Sequence, residues 1–314
     1  MDALDKQIFA ELLRNCRISY RDLGKKTNLS ASSVKKRIDN LEQSGLIDHY
    51  IVALHPEQTN DRSATFMVYT NASVPIEEFK KRILSFDGVY MILPLIDGNY
   101  YVSLEYSHQD DLTELASVIE SISGVQSVHV YDVLPEGAKS DLPETLEFSR
   151  NELIVLGQLM RNPKMLDYDI ANNIGWPTRK VKRIIEKLEI EKKIWFGVRW
   201  NPNIGRGVAF NLIIKYDPET TSADEITDWL NKDYPISYLD SRVIETKSTI
   251  FAVFMLDKVV EMEPIAMAAL KYQGIQSCYA ITYYNAILGK SLSQLRLEKL
   301  LKKEELCQSY PSDV

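Results

Sequence analysis

The chain has 314 residues, 45% of them hydrophobic and 26% charged, with a net charge of -7. That length and apolar content suit two or more domains with true cores and exclude a disordered tail. The three cysteines, Cys16, Cys278 and Cys307, form no CxxC pair, so neither a disulfide framework nor a thiolate zinc site is expected. No stretch approaches the roughly 18 apolar residues of a membrane span. Acids stand in "MDALDKQIFAELLRN" where a signal peptide needs a basic start, so a cytoplasmic chain with no membrane partner is expected.

Taken in order, Leu4, Ile8, Leu12 and Leu13 recur at helical spacing, and "YRDLGKKTN" predicts a short second helix with Leu23 facing inward. Asn28 and Leu29 form a turn, and Ser30 is placed to cap a third helix whose buried stripe is Val34, Ile38 and Leu41. Gly45 predicts a left-handed end, followed by "LIDHYIVAL" as a wing or connecting strand. The next stretch alternates as strand, helix, two strands joined through Asp97-Gly98, helix, strand, which is the βαββαβ order of a ferredoxin-like sheet. "PEGAKSDLPETLE" then reads as a linker.

The second half repeats this plan. A shift of 147 residues sets Leu12, Arg14, Asn15, Asp22, Val34, Leu41 and Ile47 on Leu159, Arg161, Asn162, Asp169, Val181, Leu188 and Ile194. A shift of 150 sets "GVQSVHVYDV" on "GIQSCYAITY". The repeat's third helix is expected to open with Pro177 at its first position, where a missing amide costs little. The resulting fold class is α+β, with two winged helix-turn-helix domains alternating with two ferredoxin-like βαββαβ domains, plus a C-terminal helix. The expected boundaries are 1–54, 62–134, a linker at 135–147, 148–203, 206–288, and a helix and tail at 289–314. The open face of each sheet is expected to be covered by the other sheet. The leucines of the tail dock either on this core or on another chain.

Charge is segregated along the repeat. Residues 14 to 37 carry +7 and residues 161 to 183 carry +4, leaving -18 for the remainder. Such a chain attracts phosphates locally while its acidic body orients the approach; solvated helix faces are the alternative. In a helix-turn-helix the start of the motif's second helix enters the major groove. That geometry predicts DNA contacts from Ser30, Ser32, Ser33, Lys35, Lys36 and Arg37, with Arg21 and Lys25 from the preceding helix. The second head would use Thr178, Arg179, Lys180, Lys182 and Arg183, a more basic and less hydroxylated set, unless it is a copy kept for packing. Unlike readers predict unlike half-sites.

With "LDKQIFAELLRNCRISYRDLGKKTNLSASSVKKRIDNLEQSGLI" followed by a βαββαβ unit, the chain resembles the Lrp/AsnC family of transcriptional regulators. The matching residues are Leu4-Asp5, Asp22-Leu23, Leu29-Ser30, Val34, Arg37, Ile38, Leu41 and Gly45-Leu46-Ile47. The resemblance implies a promoter or operator in double-stranded DNA as partner, a small-molecule effector, and homo-oligomers, at least a dimer of fused chains. It places the effector turn at Gly98-Asn99-Tyr100-Tyr101, where Asp97, Gly98 and Tyr100 are the candidates and Tyr101 occupies the family's acidic position. Gly98 is more often simply the residue of a tight strand-to-strand turn. Siroheme decarboxylases resemble the same two-domain plan, and such chemistry needs cations and a proton donor, often His; His49, His55, His108 and His129 form no cluster in sequence. No metal motif, phosphate loop, nucleophile elbow or dinucleotide fingerprint occurs. No cofactor, metal or catalytic residue is therefore expected.

Overall fold

The computed structural model describes residues 1–59, 61–133, 147–202 and 207–308, without the side chains of Val133 and of residues 303–308. The linker expected at 135–147 lies outside these apart from Glu147. Each half opens with three helices and a strand: α1 (Ala3–Arg14), α2 (Tyr20–Thr27), α3 (Ala31–Gln43) and β1 (Ile47–Leu54), then α6 (Arg150–Arg161), α7 (Asp167–Ile174), α8 (Thr178–Ile190) and β6 (Ile194–Trp200). The βαββαβ units follow as β2 (Arg62–Thr70), α4 (Ile76–Ile83), β3 (Val89–Pro94), β4 (Tyr100–Tyr106), α5 (Gln109–Glu120) and β5 (Val125–Val133), and as β7 (Val208–Tyr216), α9 (Ala223–Asp233), β8 (Tyr238–Ile244), β9 (Thr249–Leu256), α10 (Met262–Lys271) and β10 (Ile275–Thr282). Last come β11 (Ile287–Leu288) and α11 (Leu292–Gln308).

The sheets run β11-β3-β4-β2-β5 and β10-β7-β9-β8, the strand order expected of two ferredoxin-like units, with β1 and β6 forming a third, two-stranded sheet. Strand alternation explains how they stack. In β7, Phe210, Leu212 and Ile214 face Ile226, Leu230 and Ile265 of the covering helices. Ala209 and Ile213 point the other way, into a core shared with Met67, Leu93 and Tyr101 of the first sheet. Phe251 is 1% exposed there, with ring centroids 5.8 Å from Tyr101 and 5.0 Å from Tyr131; burying one such ring contributes about 2 kcal/mol. Each sheet does cover the other.

Three features depart from or sharpen the sequence reading. β1 is not a free wing: it pairs antiparallel with β6 from Ile47–Trp200 to Leu54–Ile194, tying the halves together beneath the heads. Pro177 is the N-cap rather than the first helical residue, with ψ 133, because the residues after it supply the first turn. The tail docks on its own chain. β11 pairs with β3, a strand the sequence reading missed, Leu297 is fully buried, and Ser293 donates from its backbone to Glu105 at 2.8 Å. Among the described residues no helix is long and apolar enough to cross a membrane.

Candidate nucleic-acid interface

The first reader helix is built by local chemistry. Ser30 lies in extended backbone and its hydroxyl accepts from the Ser33 amide at 3.1 Å, holding one of the free N–H groups of the helix start. The same hydroxyl lies 2.9 Å from those of Ser32 and Ser33. Val34, Ile38 and Leu41 are buried, as expected. Asn28 ends α2 in left-handed conformation at φ 55, and Gly24 packs so tightly on the turn that a Cβ would sit 2.5 Å from the Leu29 carbonyl. Gly45, at φ 77, follows α3 as a left-handed residue. The hydroxyl-rich start of α3 is thereby presented to solvent.

The basic groups divide into three kinds. Arg21 and Lys36 are exposed with no ion pair among the described residues. Lys25 and Lys35 are exposed but rest on Asp22 and Asp39, both at 2.7 Å, surface pairs that a phosphate can replace at little cost. Arg37 is different: its guanidinium is half-buried and donates to Asp2 at 2.7 Å and Asp5 at 2.6 Å, bolting α3 to the start of α1. Those two bonds hold the Arg37 pKa above its ordinary value. Burial works to raise the Asp2 carboxyl, but hydrogen bonds from the Asp5 amide and Arg37 hold it below the usual carboxylate range.

On α8, Thr178, Arg179, Lys182 and Arg183 are exposed. Lys182 stands 3.6 Å from Glu186. Lys180 folds back, its ammonium 3.5 Å from the centroid of Trp176, a cation–π contact that keeps it at the helix start. This helix lacks a side-chain cap because Pro177 replaces Ser30.

Two further basic residues within the charged windows, besides Arg37, turn inward. Arg17 crosses to the other head, donating to the carbonyls of Pro163 at 2.7 Å and Met165 at 2.8 Å and to Asp167 at 2.7 Å, at the start of α7. Lys164, its counterpart at the 147-residue shift, reaches back to Tyr50 at 3.1 Å and Glu42 at 3.5 Å. The heads are thus clasped to each other. The sequence signal was that "RNCR" and "RNPK" carry a cation at matched positions, but nothing local says where either points.

The effector candidates lie in a turn that uses its own groups. Asp97 accepts from the Asn99 amide and side chain at 3.0 and 2.9 Å. Gly98 has φ +85, and a Cβ there would meet that of Ala72 at 2.7 Å. Tyr100 is 4% exposed, stacked on Phe79 at 4.0 Å and donating to the Val74 carbonyl. Its ring is therefore core rather than pocket. The four histidines stay apart: His49 beside Asp48, His55 accepting from the Glu57 amide, His108 just before α5, and His129 against Tyr69. None lines the cleft of about 750 Å³ between β3, β6 and β8.

Known proteins agree with this geometry. Residues 1–48 match the family model described as winged helix-turn-helix DNA-binding. An uncharacterized HTH-type transcriptional regulator of Pyrococcus abyssi is 29% identical over 143 residues, 45% of this chain and 96% of that protein. The HTH-type transcriptional regulator LysM of Sulfurisphaera tokodaii is 29% identical over 134 residues, 40% of this chain and 94% of LysM. The crystal structure of the siroheme decarboxylase NirDL aligns over 98% of this chain and 100% of its own, with a TM-score of 0.53 and 14% identity. The likeness to NirDL is one of fold, across both halves.

Proposed function

We propose that this chain, an Lrp/AsnC-type DNA-binding transcriptional regulator in two fused copies, grips a single DNA site through two unlike reader helices. The observation that carries this reading is the pair of helix starts, α3 and α8, which present small hydroxyls and unpaired cations on helix-turn-helix scaffolds clasped by Arg17 and Lys164. Ser32, Ser33 and Lys36 allow close approach and phosphate contact in one half-site; Arg179 and Arg183 suit guanine edges or phosphates in the other. Arg37 acts by holding α3 in place. Half-sites about 34–36 Å apart, one helical turn or a multiple, would match two heads on one face of the duplex. The protein works in the cytoplasm, and further assembly is between whole fused chains.

Regulation rather than catalysis is favoured by the histidines, none of which lines the cleft between the sheets. The decarboxylase activity of NirDL rests, for this chain, on fold likeness alone. The test is binding of the intact chain to its own upstream DNA at several salt concentrations. Removing one cation that neutralises a phosphate should flatten the log–log slope by about 0.9. Lys36→Ala and Arg183→Ala should each do so, which between 50 and 200 mM salt is a fall in affinity about 3.5-fold smaller than in wild type. If the wild type shows no salt-dependent binding, or if both variants keep the full slope, the two-headed grip is wrong.

A further inference from the structure

The last helix of each βαββαβ unit, α5 and α10, covers the same place on its sheet, and the shift of 150 residues sets one on the other. Their inward faces agree: Leu112, Leu115 and Ile119 are buried in the first unit, Ile265 and Ala269 in the second. Their outward faces do not. Gln109, Asp110, Glu114, Ser117 and Glu120 correspond to Val259, Val260, Pro264, Met267 and Leu270, and all ten are exposed. The repeat is therefore a control. In the first unit this helix meets water with a polar face, so folding does not call for the apolar face of the second.

Helical spacing gathers these residues into a stripe. Val260, Pro264, Met267 and Leu270 follow one another at steps of three and four residues along α10 and the turn that enters it, and so share one face. Val260 is 70% exposed, Met267 47% and Leu270 44%. Single apolar residues scattered over a surface are ordinary, but a contiguous stripe on one helix marks an interaction site.

The charges beside the stripe say what fits it. Glu263 and Lys271 are exposed and take no ion pair among the described residues; α5 has Thr113 and Ser121 in their places. Glu261, by contrast, is engaged within the chain, accepting from the Asp257 amide at 3.2 Å. Met267 stands four residues from Glu263 and four from Lys271. A two-fold axis through Met267, perpendicular to the helix, therefore brings Glu263 level with Lys271 of a second copy and Lys271 level with its Glu263. The same axis sets Met267 against itself and Pro264 level with Leu270 of the second copy. A purely acidic or purely basic partner would satisfy one end of α10; an antiparallel copy of α10 satisfies both.

We propose that α10 is a docking surface for a second copy of this chain, the two helices packing antiparallel about a two-fold axis at Met267. This rests on the reading that further assembly is between whole fused chains, and it names the surface. A contact between two single helices is smaller than a permanent interface, so self-association in the micromolar range is expected. The test is sedimentation velocity of the full chain, without DNA, at about 1–100 μM. The wild type should pass from monomer to dimer over that range. Met267→Glu sets two carboxylates against each other on the axis and should weaken association roughly tenfold or more. Glu263→Lys and Lys271→Glu should each weaken it about fivefold, because each change acts twice across the axis. Combining the two restores both pairs with their signs exchanged and should recover most of the loss. Ser117→Glu, at the matching place on α5, should change nothing, and melting curves check that each variant is folded. A dimer that survives Met267→Glu, or a double reversal that recovers nothing, would overturn this surface while leaving assembly in place; a wild type that stays monomeric throughout would overturn both. DNA retention measured on the same preparations reports separately on the two-headed grip.

Discussion

Replacing Arg17 tests whether the two heads are one mechanical unit. Its guanidinium spends three hydrogen bonds on the opposite head, two to carbonyls and one to Asp167, and lies 5.3 Å from the Phe196 ring centroid. The Arg17 side chain is 13% exposed and Asp167 27%, so these bonds are only partly screened. Charge-assisted bonds of this kind are worth about 1.5–3 kcal/mol singly and do not add. Arg17→Met keeps the stem's packing and should cost about 2–4 kcal/mol. Lys164→Met, which removes longer bonds to Tyr50 and Glu42 and a 4.4 Å cation–π interaction, should cost about 1 kcal/mol. Urea unfolding followed by tryptophan fluorescence measures both, and a double-mutant cycle of Arg17→Met with Asp167→Asn isolates a coupling of about 1 kcal/mol. If Arg17→Met is within about 0.5 kcal/mol of wild type, or no costlier than Lys164→Met, the clasp is ornamental and the heads are independently mobile.

Other expected outcomes concern single backbone or buried positions. Lys192 has φ 49 where the first half has Gly45, so Lys192→Gly should raise stability by about 0.5–1 kcal/mol despite losing its ion pair with Glu57, seen as a higher urea midpoint. Gly98→Ala forces a Cβ against Ala72 at φ +85 and should cost about 1–3 kcal/mol; a neutral result in the same assay would remove the structural reading of that turn. Burial pushes the Cys16 thiol up from 9.0 to about 12. The unfolded chain releases this proton first, so stability is intact below pH 9 and falls by up to about 1.4 kcal/mol per unit as pH rises toward 12. The urea midpoint of Cys16→Ala should decline less steeply over that range.

What the sequence revealed was local or periodic. Ser30 caps α3 because a hydroxyl before a helix start meets a free amide three residues on, a rule needing only neighbours. The alternation of β7 and the fixed shift of the repeat were legible for the same reason. The ion pairs of Arg37 were not legible because its partners lie 35 and 32 residues away, and a cation at a reader position looks the same whether it meets phosphate or Asp2. Tyr100 was drawn into an effector site by the family resemblance, although the pleat turns its ring under the helices. The cleft was invisible because β3, β6 and β8 converge only when the sheets stack.

Fusion explains why those hidden features could arise. In a homodimer every substitution at the two-fold seam appears twice, so a buried arginine would be matched by a second one across the axis, at double the desolvation cost. A single chain escapes that constraint. Ser30 can become Pro177, Gly45 can become Lys192, and Arg17 can hold three acceptors while its counterpart Lys164 leans on a tyrosine. The asymmetry of the reader helices and that of the clasp between the heads are therefore two consequences of one covalent fact. On the proposed two-headed grip, a DNA site with unlike halves is read in one orientation by such a molecule, whereas a symmetric dimer would meet either half with either head.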